Sequence, residues 1–153
     1  FAVGAASTCT DSEKVEKMRL VGEYAGMAFQ IKDDLFDFNE NNETGKPSGI
    51  DIKEKKMTLP LIFALNNTLI FLLNQSSLLE KRKIIGIVKK YNTDKEKVQW
   101  LIERVNQSGG MSYASDKMLD FKDKAIGLLN KFPENESRQA LAQLIEFTID
   151  RVK

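Results

Sequence analysis

The run Phe29-Gln30-Ile31-Lys32-Asp33-Asp34-Leu35-Phe36-Asp37 puts three carboxylates into a helix that is apolar on two faces, and this limits what the chain can fold into. At about 100° per residue, Met18, Gly22, Ala25, Phe29, Asp33 and Phe36 fall on one stripe, with Asp37 at its margin. Leu20, Tyr24, Met27, Ile31, Leu35 and Phe38 form a second stripe on the opposite side, the pattern of a buried helix. The spacing therefore predicts that Asp33 points where a core residue should point. A buried charge must be neutralised, paired or bound to a metal. Asp33 and Asp37 are thus expected to line a polar cavity.

Composition narrows what fills that cavity. At 153 residues and 42% apolar content, one sizeable core and a single domain are expected. Lys and Arg number 23 against 22 Asp and Glu, so there is no basic excess to suggest nucleic acid or an anionic membrane surface. With one cysteine, Cys9, no disulfide framework is possible, and a reducing, cytoplasmic setting fits. The absence of histidine excludes His-based triads and His-ligated zinc, leaving oxygen-ligand chemistry. The most apolar window, Leu59 to Leu73, is broken by Pro60 and Asn66-Asn67 and is too short to span a bilayer. It reads as a buried helix of a soluble chain.

The chain reads as helical almost throughout. Phe1 to Ala6 resemble the last turns of a helix begun upstream, and Thr10-x-x-Glu13 is a capping box opening a helix that runs to about Phe38. No methionine precedes Phe1 and nothing resembles a signal peptide, so a fragment is expected. Asn39 to Glu54 reads as a long polar loop with Gly45, Pro47 and Gly49, of the kind that acts as a lid. Further helices are expected from Thr58-x-Pro60, over Leu78 to Tyr91, and after a second capping box, Thr93-x-x-Glu96. Ser108-Gly109-Gly110 breaks the chain before two more, about Met111 to Phe132 and Glu134 to Val152. With no strand pattern and no repeat, the fold class is all-α.

The acidic helix suits a hard cation. Carboxylates at i and i+4 stand on one face, and Mg²⁺ takes one or two of them, with water and phosphate completing its shell. Asp33 and Asp37 have that spacing; Asp34 lies about 100° away and suits a supporting role. Gln30, one turn before Asp34, can present its amide to a cation or a substrate group. Lys46, Lys55 and Lys56 crowd the loop that follows, and cation and ammonium groups together would make a diphosphate clamp. Acidic runs on helices are more often solvated faces, and this chain contains one for comparison. Asp116, Asp120 and Asp123 are interleaved with Lys117, Lys122 and Lys124, whereas the Asp33 cluster has only Lys32 beside it.

Three motifs in order within residues 29–61 carry a family resemblance: Phe29-Gln30-x-x-Asp33-Asp34-x-x-Asp37, Gly45-Lys46-Pro47-x-Gly49-x-Asp51 and Lys56-x-Thr58-Leu59-Pro60-Leu61. Together they resemble the second aspartate-rich motif and following loop of the all-trans polyprenyl diphosphate synthases, long-chain members such as the octaprenyl diphosphate synthases included. Phe132-Pro133 and the Ala140 to Arg151 helix are similar to the family's closing segments. The resemblance implies the C-terminal part of an isoprenoid synthase fold, an antiparallel helical bundle, with residues 1–153 forming the C-terminal half of one synthase domain. It also implies the reaction. An allylic diphosphate held through Mg²⁺ ionises, isopentenyl diphosphate attacks the cation, and loss of a proton leaves a longer, membrane-seeking prenyl diphosphate.

Carried over residue by residue, Asp33 would be a direct Mg²⁺ ligand, with Asp34 and Asp37 completing the acidic cluster. Lys46 would bind the allylic diphosphate and Lys56 would assist. Phe29 and Gln30 would flank the substrate, the Gln30 amide steadying the developing cation. Lys55 stands where the family commonly has glycine, so the loop is expected to bend differently there. The first aspartate-rich motif and the isopentenyl-binding residues have no counterpart in this sequence, so the isolated chain is expected to be inactive. The same resemblance implies a homodimer. A class I terpene cyclase shares the metal chemistry, but the Gly45-Lys46-Pro47 loop and Lys56-x-Thr58 argue against it. Retention of Asp33, Asp37 and Lys46 argues against a silent helical subunit of a synthase.

Overall fold

A computed structural model describes residues 1–38, 48–70 and 76–150. The described residues contain eight helices and no strand: α1 (Ala2–Ala6), α2 (Ser12–Asp37), α3 (Ile50–Lys53), α4 (Leu59–Ile70), α5 (Ser76–Lys90), α6 (Lys95–Gln107), α7 (Gly110–Leu129) and α8 (Glu136–Asp150). The chain divides into two compact units, residues 1–32 with 116–153, and residues 33–115. The all-α expectation holds.

Both expected capping boxes shift by one residue. Asp11, not Thr10, opens α2, its Oδ1 accepting from the amides of Glu13 at 3.0 Å and Lys14 at 3.3 Å. Asp94, not Thr93, opens α6, accepting from the Lys97 amide at 3.2 Å. In each pair an ionised carboxylate beside a hydroxyl takes the cap, because it complements the positive end of the helix as well as accepting its free amides.

In the second unit α4, α5 and α6 pack together. Leu61, Ala64 and Leu65 of α4, Ile84, Ile87 and Val88 of α5, and Val98, Leu101, Ile102 and Val105 of α6 form one buried cluster with Phe38 and Ile52. The window beginning at Leu59 is thus a core helix, as its composition required. Two glycines set close approaches here. Gly110 starts α7 where a Cβ would lie 2.5 Å from the Pro60 carbonyl oxygen, and Gly49, at φ +79°, would place one 2.7 Å from Val98 Cγ1.

In the first unit Met118, Ala125 and Leu129 of α7 and Ile145 and Ile149 of α8 are buried. Tyr24 meets Phe121 with ring centroids 6.0 Å apart. Asn135 caps α8 through the Arg138 amide at 2.8 Å. The helix expected from Glu134 begins at Glu136 because Asn135 supplies that cap. Lys124 pairs with Asp120 at 2.9 Å and Lys122 with Asp150 of α8 at 3.7 Å, so Asp120 of the α7 aspartates is ion-paired as expected.

Candidate functional site

The burial of α2 corrects the expected orientation of the acidic run. Its buried residues are Val21, Ala28, Ile31, Leu35 and Phe38, on the side first read as the second stripe. The stripe carrying Phe29, Asp33 and Phe36 is only half-buried, and Met27 is exposed. Asp33 therefore does not occupy a core position. It is half-buried, so its carboxylate keeps access to water without full desolvation. Asp34 and Asp37 are likewise half-buried.

Asp37 is the residue whose local geometry is most fully defined. Its backbone carbonyl accepts from the Gly49 amide at 2.9 Å, its Oδ1 from the Ile50 amide at 2.8 Å and its Oδ2 from the Asp51 amide at 3.1 Å. The end of α2 thus caps the start of α3. The left-handed turn at Gly49 aims those amides, and Ile52, 1% exposed, anchors α3 in the core. The second half of the expected polar loop is accordingly a packed helical turn. Burial first, and then the neighbouring Asp51 charge, push the Asp37 carboxyl above its ordinary range, against the opposing pull of the two backbone hydrogen bonds and the Lys56 charge.

Lys56 is exposed and pairs with Glu54 at 2.7 Å and with Asp51 at 3.0 Å, and these partners raise its ammonium above the usual lysine range. Asp37, Asp51 and Lys56 are therefore brought together. Asp51 was not among the site residues expected from sequence; its signal was its place in the first turn of α3, five residues before Lys56. The bend at Lys55 is also corrected. Lys55 adopts φ +61°, the left-handed conformation that glycine favours, so the backbone turns as a glycine would allow. Three residues on, Thr58 is 5% exposed and its hydroxyl has no hydrogen-bond partner among the described residues.

Phe29 and Gln30 belong to the first unit. Phe29 is half-buried and lines an apolar groove of about 240 Å³ with Phe1, Gly22, Ala25 and Ile145, whereas Gln30 is exposed. Lys46, with Gly45 and Pro47, lies outside the described residues. Among the described residues no three acidic or sulfur side chains converge tightly enough to hold a metal by themselves.

The fold is that of the isoprenoid synthases. The chain matches the crystal structure of geranylgeranyl pyrophosphate synthase from Bacteroides thetaiotaomicron with a TM-score of 0.82 and 33% identity, over 98% of this chain and 47% of that one. It matches a polyprenyl synthase from Caulobacter crescentus CB15, complexed with calcium and isoprenyl diphosphate, with a TM-score of 0.77 and 32% identity, over 98% and 44%. The Polyprenyl synthetase family model matches residues 1–105, and the chain belongs to that family. Nonaprenyl diphosphate synthase of Mycobacterium tuberculosis is 31% identical over 149 residues, 97% of this chain and 42% of that protein. The chain therefore spans less than half the length of the relatives it matches.

Proposed function

We propose that residues 1–153 form the C-terminal half of a synthase domain that condenses an allylic diphosphate with isopentenyl diphosphate to extend an all-trans polyprenyl diphosphate. The observation that carries this reading is the anchoring of Asp37 on the amides of Ile50 and Asp51. It fixes the end of the acidic helix against the loop that bears Lys56, within the stretch matched by the family model. The calcium and isoprenyl diphosphate bound to the Caulobacter relative are the kinds of ligand this donor set suits.

In this reading Asp33 is the foremost Mg²⁺ ligand. Asp34 supports it, and Asp37 divides its carboxylate between the cation's shell and the α3 amides. The cation would neutralise the leaving diphosphate as the allylic bond breaks. Lys46 binds the allylic diphosphate, and Lys56, steered by Asp51, adds positive charge to the same group. Phe29 offers an apolar wall, and the Gln30 amide oxygen steadies the developing carbocation. Homodimeric assembly and a cytoplasmic setting complete the proposal; among the described residues no helix is long and apolar enough to cross a membrane.

The test is isopentenyl incorporation by the purified 153-residue chain, alone and combined with a segment bearing the first aspartate-rich motif. Incorporation is expected only in combination, because one acidic wall cannot clamp the leaving diphosphate by itself. Robust elongation by the chain alone would overturn the assignment.

A further inference from the structure

The chain's charge is nearly balanced overall, +1, but α5 is not. Its buried side consists of Ile84, Ile87 and Val88. Projected at about 100° per residue, Arg82 and Lys89 fall on the opposite side and Lys83 and Lys90 on the adjoining flank, and all four are exposed. Glu80 is the one acid of this helix, and it is bound to Arg104 of α6. Among the described residues Arg82, Lys89 and Lys90 have no carboxylate partner, and Lys83 lies over the Trp100 ring at 3.5 Å. Among the described residues the basic stripe is therefore not neutralised by carboxylates.

Apolar side chains stand at both ends of that stripe. Leu79, on the same face, is 66% exposed, and Tyr91, just past the end of α5, is 48% exposed. Between them Gly86 presents no side chain, and a Cβ there would meet nothing within 4 Å, so a flat surface could approach the helix closely. From Leu79 to Tyr91 the face runs roughly 18 Å at the helical rise. We propose that this outward face of α5 docks the second unit on an anionic lipid bilayer, with the four cations over lipid phosphates and Leu79 and Tyr91 in the headgroup layer.

A bilayer interface accepts both halves of this pattern. Basic side chains are attracted to anionic headgroups, and apolar or amphipathic ones enter the boundary with the acyl chains. A nucleic-acid backbone or an acidic protein surface would use the cations but leave Leu79 in water. The inference does not depend on the proposed synthase activity.

The experiment is co-sedimentation of the full chain with vesicles of phosphatidylcholine alone and of phosphatidylcholine mixed with phosphatidylglycerol. Binding is expected to the mixed vesicles only and to fall as salt is raised. The quadruple variant R82Q/K83Q/K89Q/K90Q should lose at least about a hundredfold in partitioning, since each cation near such a surface contributes roughly fivefold. Leu79→Ser should weaken vesicle binding several-fold while leaving retention on heparin, a soluble polyanion, unchanged. All five positions lie on the outer face, so helicity measured by circular dichroism should be preserved and separates a docking defect from unfolding. Absence of binding to the mixed vesicles, equal binding to neutral ones, or vesicle binding indifferent to Leu79→Ser would each overturn the proposal.

Discussion

Two helices of this chain carry aspartates at helical spacing, and they solve the problem of those charges in different ways. On α7 Asp120 takes Lys124 one turn later, and Lys122 reaches Asp150, so charge is cancelled locally in water. The Lys124 hydrogen bond first, then the Lys124 and Lys117 charges, pull the Asp120 carboxyl below its ordinary range against the opposing effect of burial. At the end of α2, among the described residues, Asp37 has no lysine partner in direct contact. Its oxygens are held by two backbone amides, and burial together with Asp51 pushes its carboxyl upward. The same residue type at similar spacing is thus stabilised as a charge in one place and penalised as a charge in the other. A site that collects cations has the second character, because an added positive charge relieves the penalty.

The largest expected effect separates the two sets by activity. In a synthase that includes the other half of the domain, Asp33→Ala should lower turnover at least about a hundredfold, as does removal of one preorganised electrostatic group. Asp34→Ala should cost much less, and Asp120→Ala nothing measurable. Similar losses for Asp33→Ala and Asp34→Ala in steady-state assays would erase the distinction drawn from their positions on α2.

Backbone positions sharpen the comparison next. Gly49, left-handed and in contact with Val98, sets the turn that presents the amides to Asp37, so Gly49→Ala should destabilise the fold by roughly 2–4 kcal/mol. Gly127 on α7 is exposed and its Cβ would meet nothing within 4 Å. Gly127→Ala should instead stabilise by about 0.5–1 kcal/mol through helix propensity. Urea denaturation of the two variants reads both signs in one experiment. Smaller again is Thr58→Val, which removes a buried hydroxyl without a partner among the described residues, at nearly constant volume. It should raise stability by about 1 kcal/mol, and a loss of stability would show that the hydroxyl is satisfied.

The smallest effect is one of slope. Because the folded state raises the Asp37 carboxyl, it binds that proton more tightly than the unfolded chain does. The associated stability is present below the ordinary carboxylate range and is lost as pH rises through the raised folded value. Asp37→Asn cannot ionise. Wild type should therefore lose ground to the variant as pH rises from acid toward neutrality, and parallel stability profiles would contradict the raised carboxyl.

Helical periodicity was sufficient to read the fold class, since breaks at Pro60, Gly109-Gly110 and Pro133 divide runs long enough to be helices. It read both faces of α2 as buried, and one of them is only half-buried. Both stripes of that helix are apolar, and only the packing of Val21, Ala28 and Leu35 decides which one is inside. The caps were displaced by one residue because Thr10 and Thr93 each precede a better acceptor. The triplet of Asp37, Asp51 and Lys56 was only partly legible. Its partners are separated along the chain and meet because Asp37 holds the amides of Ile50 and Asp51, a tertiary contact that spacing on one helix does not encode.

Hydrogen exchange on the complete synthase, with and without Mg²⁺ plus inorganic diphosphate, tests the central distinction most directly. The account expects protection to rise over residues 29–37 and 48–57, at the amides of Ile50 and Asp51 among them, and to stay unchanged over 116–124 on α7. Unchanged exchange at residues 29–57, or an equal rise over 116–124, would contradict it.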